Sequence, residues 1–229
     1  EPLTAMRKYA EQNEASNLGG GFWIAEAYYW FRKYGLESRG CFTTLAVVAG
    51  ATRKIPIGLG ITSPYVRHPT ALASEAAAID ELSNGRFIMG LGVGKVGVVY
   101  LEYDLKKQTP IKEHRESMAI MRQAFSGEAF KYQGEIHKAE LPAFDRRGAG
   151  LRTQIPIYVG ATGPLMQELS GRESEGMLLA GVTSPAFVTY ARANMKKGAG
   201  KVGRELPADF PVGGVILCAC SRDGKKAKD

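Results

Sequence analysis

Four short runs bring small and polar residues to the ends of apolar segments, and together they could hold a flat ring and a phosphate. They are Gly60-Ile61-Thr62-Ser63, Gly92-Val93-Gly94, Gly160-Ala161-Thr162-Gly163 and Gly181. Without a β-carbon, a glycine lets backbone amides approach a ring or an anion closely. The competing reading is that such glycines only let helices pack near a sheet, and for the mid-strand Gly58 and Gly90 both readings stand. Pro164 suits a first helical position, so the amides beside Thr162 and Gly163 would point outward at an anion, favoured by the helix dipole. Glu26 is the one carboxylate expected at the carboxyl end of a strand, where it could orient a heterocycle, act as an acid or base, or pair with a cation such as Arg67. His68 precedes Pro69, where it could cap the helix or touch substrate, and capping is the favoured reading. His114 and His137 read as surface residues. No Ser-His-Asp arrangement, metal cluster or phosphate-binding P-loop can be assembled from these strand ends.

These residues need a framework, and the stretch from Arg53 to Gly94 supplies its clearest unit. Ile55, Ile57, Leu59 and Ile61 alternate with Pro56, Gly58 and Gly60, as do Phe87, Met89, Leu91 and Val93 with their neighbours, the period of a strand. Between them Leu72, Ala76, Ile79 and Leu82 recur at helical spacing, and Asn84-Gly85 ends the helix. Two strands joined through a helix run parallel. Elsewhere the pattern predicts strands at Phe22–Ala25, Ile155–Val159, Met177–Ala180 and Val212–Cys220. Helices are expected over Leu3–Ala15, Cys41–Thr52, Ile111–Phe125, from Pro164 to near Gly176, and Ser184–Met195. An aromatic loop spans Tyr28 to Tyr34, and residues 127–152 read as an excursion carrying a small hairpin around Gly134. The alternation of strand and helix fits a doubly wound sheet or a (β/α)8 barrel within one domain spanning 1–229. Gly90-Leu91-Gly92-Val93-Gly94 does not open a helix as a dinucleotide fingerprint would, which favours the barrel. Six strands are visible, so the first and last barrel strands are absent from view. With Glu1 in place of a starting Met, the chain reads as a piece of a longer protein.

The composition narrows the possible functions. The chain has 229 residues, 45% hydrophobic and 23% charged, with a net charge of +7 and a pI near 9.3. Basic residues are scattered and densest in the terminal GKKAKD, so nothing resembles a nucleic-acid module. A basic surface suits a phosphorylated small molecule equally well. No apolar run approaches the ~20 residues of a membrane span, and the first residues lack a signal peptide's apolar core. Cys41, Cys218 and Cys220 have no metal-like spacing and read as buried thiols of a cytoplasmic protein.

TRKIPIGLGITSPYVRHPTALASEAAAIDELSNGRFIMGLGVG resembles the hallmark segment of the bacterial-luciferase-like flavin-dependent oxidoreductases. PIYVGATGPLMQELSGRESEGMLLAG resembles a second block of that family, and WIAEAYY its second-strand segment. The style is most similar to the branch that contains methylenetetrahydromethanopterin reductase and other users of coenzyme F420. The resemblance implies a luciferase-like (β/α)8 TIM barrel, incomplete here, with a cofactor at its carboxyl-end mouth and an insertion after the fourth helix. It implies coenzyme F420, or alternatively FMN, as the cofactor, and hydride transfer to a small organic substrate. The alternatives are an FMN-dependent monooxygenase and a non-catalytic flavin-binding barrel. It further implies a bulged strand with a non-prolyl cis peptide at Gly60-Ile61 backing the ring, phosphate binding at Gly160–Gly163, and often a homodimer. Many members carry an acid followed by His at the second strand's end. Here Glu26-Ala27 stands there, which argues against monooxygenase chemistry.

Overall fold

The computed structural model describes residues 41–94, 109–143, 152–179 and 183–214. Its elements, in chain order, are α1 (Cys41–Ala51), β1 (Ile57–Gly58), α2 (Pro69–Leu82), β2 (Phe87–Leu91) and α3 (Pro110–Ser126). They continue with β3 (Phe130–Gln133), β4 (Lys138–Leu141), β5 (Ile157–Gly160), α4 (Pro164–Glu173), β6 (Gly176–Leu179), α5 (Pro185–Gly200) and β7 (Val212–Gly214). The strands β1-β2-β5-β6-β7 form one sheet in that order, every pair parallel. β3 and β4 make the antiparallel hairpin expected around Gly134, outside that sheet. The expected strand at Phe22–Ala25, the aromatic loop at Tyr28–Tyr34, and Glu26, Gly181, Cys218 and Cys220 lie outside the described residues.

The helix starts follow directly from the sequence. α2, α3, α4 and α5 each begin with proline in the first turn, where a missing N–H costs nothing and the fixed φ is already helical. His68 caps α2 by accepting from the Thr70 amide, and Ser184 caps α5 by accepting from that of Phe187. Past the end of α2 the chain turns at Asn84 (φ 56°) and Gly85 (φ 77°), and α3 is capped by Gly127 (φ 76°). The helices cover one face of the sheet with a continuous core. Leu72, Ala76 and Ile79 from α2, and Met118, Met121 and Phe125 from α3, pack against Ile57, Phe87, Met89, Leu91, Ile157, Val159 and Met177. Burying one such large side chain is worth roughly 1.5–3 kcal/mol.

Polar clamps hold the end of the sheet away from the strands' carboxyl termini. The Arg86 guanidinium donates to the carbonyls of Ala49 (3.2 Å) and Thr52 (2.8 Å) and to the Thr52 hydroxyl (3.1 Å). Asp80, wholly buried, accepts from Arg152 Nη2 at 2.6 Å and from the Phe87 amide at 3.3 Å. A buried carboxylate without its cation would be costly, so this pair fixes the helix–strand turn.

Candidate functional site at the carboxyl ends of the strands

The expected alternation in the first strand breaks where the site begins. Ile57 N donates to Arg86 O (3.1 Å) and Leu59 N to Ile88 O (3.2 Å), a regular parallel ladder. The next rung joins Thr62 N to Gly90 O at 2.9 Å, and Gly92 N returns to Thr62 O at 3.0 Å. One strand thus advances three residues while its neighbour advances two, which is a β-bulge at Gly60-Ile61. The bulge expected from the resemblance is present, but the cis peptide is not. No cis bond occurs among the described residues, so Gly60-Ile61 is trans. The trans form is favoured by several kcal/mol, and here the bulge takes up the extra residue on its own.

The bulge also moves Ile61 to the other side of the sheet. Ile55, Ile57 and Leu59 belong to the core beneath the helices, whereas Ile61 does not and is half-buried. A β-carbon built on Gly92 would lie 2.6 Å from Ile61 Cδ1, and one on Gly160 3.0 Å from Ile61 Cγ2. Gly90 and Gly92 face away from Met89 and Leu91 because side chains alternate along a strand. Ile61 therefore rests on the inner face across three adjacent strands, in space that glycines leave clear. At Gly90 the missing β-carbon makes room for backbone, since it would stand 1.9 Å from the Leu59 carbonyl oxygen. Neither reading left open for Gly90 names this cause: the glycine makes room for the backbone of the neighbouring strand, not for a helix. Gly58 is similar, its β-carbon falling 2.9 Å from Ile88 O.

Around Ile61 the other expected residues take distinct positions. Thr62 and Ser63 are buried, Gly60 is exposed, and the Ser63 hydroxyl donates to Val93 O at 3.3 Å. Gly94 has a φ of 78° just beyond β2. Ala161 is buried, while Thr162 and Gly163 are exposed at the start of α4. Gly163 is the N-cap of α4 without a side-chain cap, and nothing lies within 4 Å of where its β-carbon would be. The structure thus brings Ile61, Gly92 and Gly160 together, and it leaves the first turn of α4 open. Gly92 and Gly160 present no side chains there, and Ile61 occupies the space they leave.

Next to Ser63 a cleft of about 720 Å³ opens between Pro64–His68, the first turn of α3, and the hairpin at Glu135–His137. Its walls are tied by two glutamates one turn apart on α3. Glu116 accepts from the amides of Glu135 (3.0 Å), Ile136 (3.0 Å) and His137 (2.8 Å). Burial pushes its pKa up, but these amides outweigh that and hold it below the usual carboxylate value. Glu113 bonds His137 Nε2 at 2.5 Å, and the His137 ring meets that of His68 edge-on at 5.4 Å between centroids. His68 is the cap expected from its place before Pro69, but the surface roles expected for the other two histidines are overturned. His137, in the turn of the hairpin, is held by Glu113 of α3, and His114 is wholly buried, its Nδ1 2.7 Å from Pro110 O. The spacing did carry a signal for His114. It stands on the same helical stripe as Met118, Met121 and Phe125. Among the described residues no group of histidines, cysteines and carboxylates could hold a metal ion. None of the described helices is long and apolar enough to cross a membrane.

Comparison with known proteins agrees with this geometry. The family model described as luciferase-like monooxygenase matches residues 1–229. A 5,10-methylenetetrahydromethanopterin reductase of Archaeoglobus fulgidus is 32% identical over 208 residues, 90% of this chain and 58% of that protein. One from Methanolobus tindarius is 31% identical over 228 residues, 100% of this chain and 65% of that protein. The chain therefore spans roughly three-fifths of the curated relatives it matches. The solved structure of the coenzyme F420-dependent tetrahydromethanopterin reductase of Methanopyrus kandleri superposes with a TM-score of 0.69 at 29% identity. That match covers 81% of this chain and 56% of the other. The parallel sheet with helices on its outer face is that of a luciferase-like barrel, part of which this chain supplies.

Proposed function

We propose a redox function from one premise: this chain belongs to the luciferase-like monooxygenase family. The protein binds coenzyme F420 at the carboxyl-end mouth of its sheet and serves hydride transfer between that cofactor and a small organic substrate. The observation that carries this reading is the 32% identity, across 90% of the chain, with a methylenetetrahydromethanopterin reductase. When bound, the cofactor supplies the hydride chemistry, and the protein supplies position and electrostatics. Ile61 and Gly60, on the bulge, back one face of the ring. Thr62 and Ser63 hold the bulge in place through Gly92 and Val93, and Gly94 lets the chain turn away from the mouth. Gly160, Ala161, Thr162 and Gly163 offer the first turn of α4 to a phosphate, Glu26 has the role of orienting the ring or the substrate, and Gly181 is assigned to cofactor binding. The tetrahydromethanopterin derivative named in the reductases is the first substrate to test. A homodimer in the cytoplasm belongs to the same reading.

FMN-dependent monooxygenase chemistry is the second reading, favoured by the description of the matching family model. Fluorescence titration of the full-length protein with each cofactor separates the two. F420 binding with weak or absent FMN binding is the expected result. Preference for FMN would shift the assignment to the monooxygenase, and binding of neither would remove the oxidoreductase reading.

A further inference from the structure

Gln167 is the fourth residue of α4 and has none of its surface exposed, so its side-chain amide needs partners inside the protein. It finds them at both ends. The backbone N–H of Gln167 donates to Gly163 O at 3.1 Å, and its side-chain Nε2 donates to Thr162 O at 3.1 Å. One residue thus captures two consecutive carbonyls of the loop that leads into the helix. A carbonyl only accepts, so Nε2 is the atom that faces Thr162, and Oε1 is left to face Asn194 of α5. Asn194 Nδ2 donates to that oxygen at 2.8 Å. The donors therefore run in one direction, from α5 through the interior of α4 to the loop.

The consequence lies on the other side of the Thr162–Gly163 peptide. No cis bond occurs among the described residues, so this peptide is trans, and its C=O and N–H point in opposite directions. With the Thr162 carbonyl drawn inward to a buried side chain, the Gly163 N–H is turned outward, at a residue that is itself exposed. We propose that Gln167 is a positioning residue that aims the Gly163 amide at the mouth, and that Asn194 holds Gln167 in the orientation this requires. The direction of the peptide follows from the hydrogen bonds alone. Its use, in holding the cofactor's phosphate, rests on the cofactor reading above.

NMR of the full-length protein without cofactor reads the direction of the peptide, and F420 titration reads its use. Gln167→Met keeps the volume and removes the donor. The Thr162 carbonyl-carbon and Gly163 amide signals should move in this variant, and F420 affinity should fall several-fold. Asn194→Ala should move the same signals in the same direction by less. In Gln167→Glu a protonated carboxyl can still donate to Thr162 O and accept from Asn194, whereas a carboxylate sets an acceptor against that carbonyl. The F420 affinity of Gln167→Glu, relative to the wild type at each pH, should approach parity at low pH and fall as the carboxyl ionises, with the Gly163 amide signal following the same midpoint. A residue that served stability alone would give binding no such profile, and the uncharged Gln167→Met separates lost orientation from simple repulsion. Thr162 and Gly163 signals unmoved in Gln167→Met and Gln167→Glu would overturn the proposal, as would moved signals with wild-type F420 affinity. Moved signals in a protein that never binds F420 would uphold the orienting role of Gln167 and remove the cofactor reading.

Discussion

Two glycines with opposite surroundings show how differently one residue type is used along the rim of this sheet. At Gly90 a methyl group would stand 1.9 Å from a backbone carbonyl oxygen, which cannot rotate away. Gly90→Ala should therefore destabilise the protein by about 1–3 kcal/mol, the usual cost of overpacking, and weaken F420 binding as the bulge shifts; chemical denaturation and cofactor titration read the two effects. At Gly163 a methyl group meets nothing within 4 Å. Gly163→Ala should change stability by less than about 1 kcal/mol. It should nonetheless lower F420 affinity several-fold by crowding the amides offered to the phosphate, and unchanged affinity would remove Gly163 from the site. The sequence marked both glycines but could not tell them apart, because what fills the missing β-carbon's place comes from another strand. The same limit applied to Ile61. Period-two alternation counted it with Ile57 and Leu59, and an extra residue among alternating glycines leaves no mark on that period. Only the resemblance pointed to the bulge.

At the scale of elements, the closest pairing is that of α4 with α5, and it depends on two glycines and one carboxylate. A β-carbon on Gly171 would fall 1.9 Å from Met195 O, and one on Gly198 2.0 Å from Glu168 O, so each helix backbone fits into the other's gap. Glu168 then bridges to Lys197 (2.8 Å) and Lys201 (2.5 Å) across the join. The Lys197 and Lys201 ammonium groups hold its pKa down from 4.5 to about 2. A depressed carboxylate contributes stability above its unfolded pKa and loses it as pH falls through the folded one. The α4–α5 join should thus weaken between about pH 4.5 and 2, and Glu168→Gln should remove that component of the acid transition, as followed by circular dichroism. A transition of unchanged pH dependence in the variant would place the acid-sensitive contact elsewhere. These helices were legible because proline and serine at their starts act locally. Their mutual approach was not, since glycines inside a helix read as weak points until the partner backbone is in view.

For the whole molecule, five parallel strands among the described residues bring their carboxyl ends to one side, and residues 60–63, Gly92, Gly94 and residues 160–163 lie at those ends without any of them having been paired in advance. That follows from a general property of parallel α/β folds, in which strand ends and helix starts share a face. The opposite side carries the Arg86 and Asp80–Arg152 clamps, whose disturbance should cost stability rather than binding. The division could be read from strand order and direction, and the buried histidine from its helical stripe, whereas the clamping of the hairpin required coordinates. The bulge has one more consequence, which concerns deletion rather than substitution. Upstream of it the strand keeps step with β2, and downstream it runs one residue late. Removing Gly60 alone would bring the two into step, with Thr62 keeping its rung opposite Gly90 and Ile61 taking the alternate position between Leu59 and Thr62, still facing away from the helices. Such a shortened chain should fold at least as stably as its parent and keep Ile61 on the mouth side. It should bind F420 more weakly, because the bulge no longer sets how far Ile61 stands from the ring; cofactor titration and chemical denaturation read the two effects. The extra residue would then be a spacer that the fold itself can do without, kept in the strand for the sake of the ring.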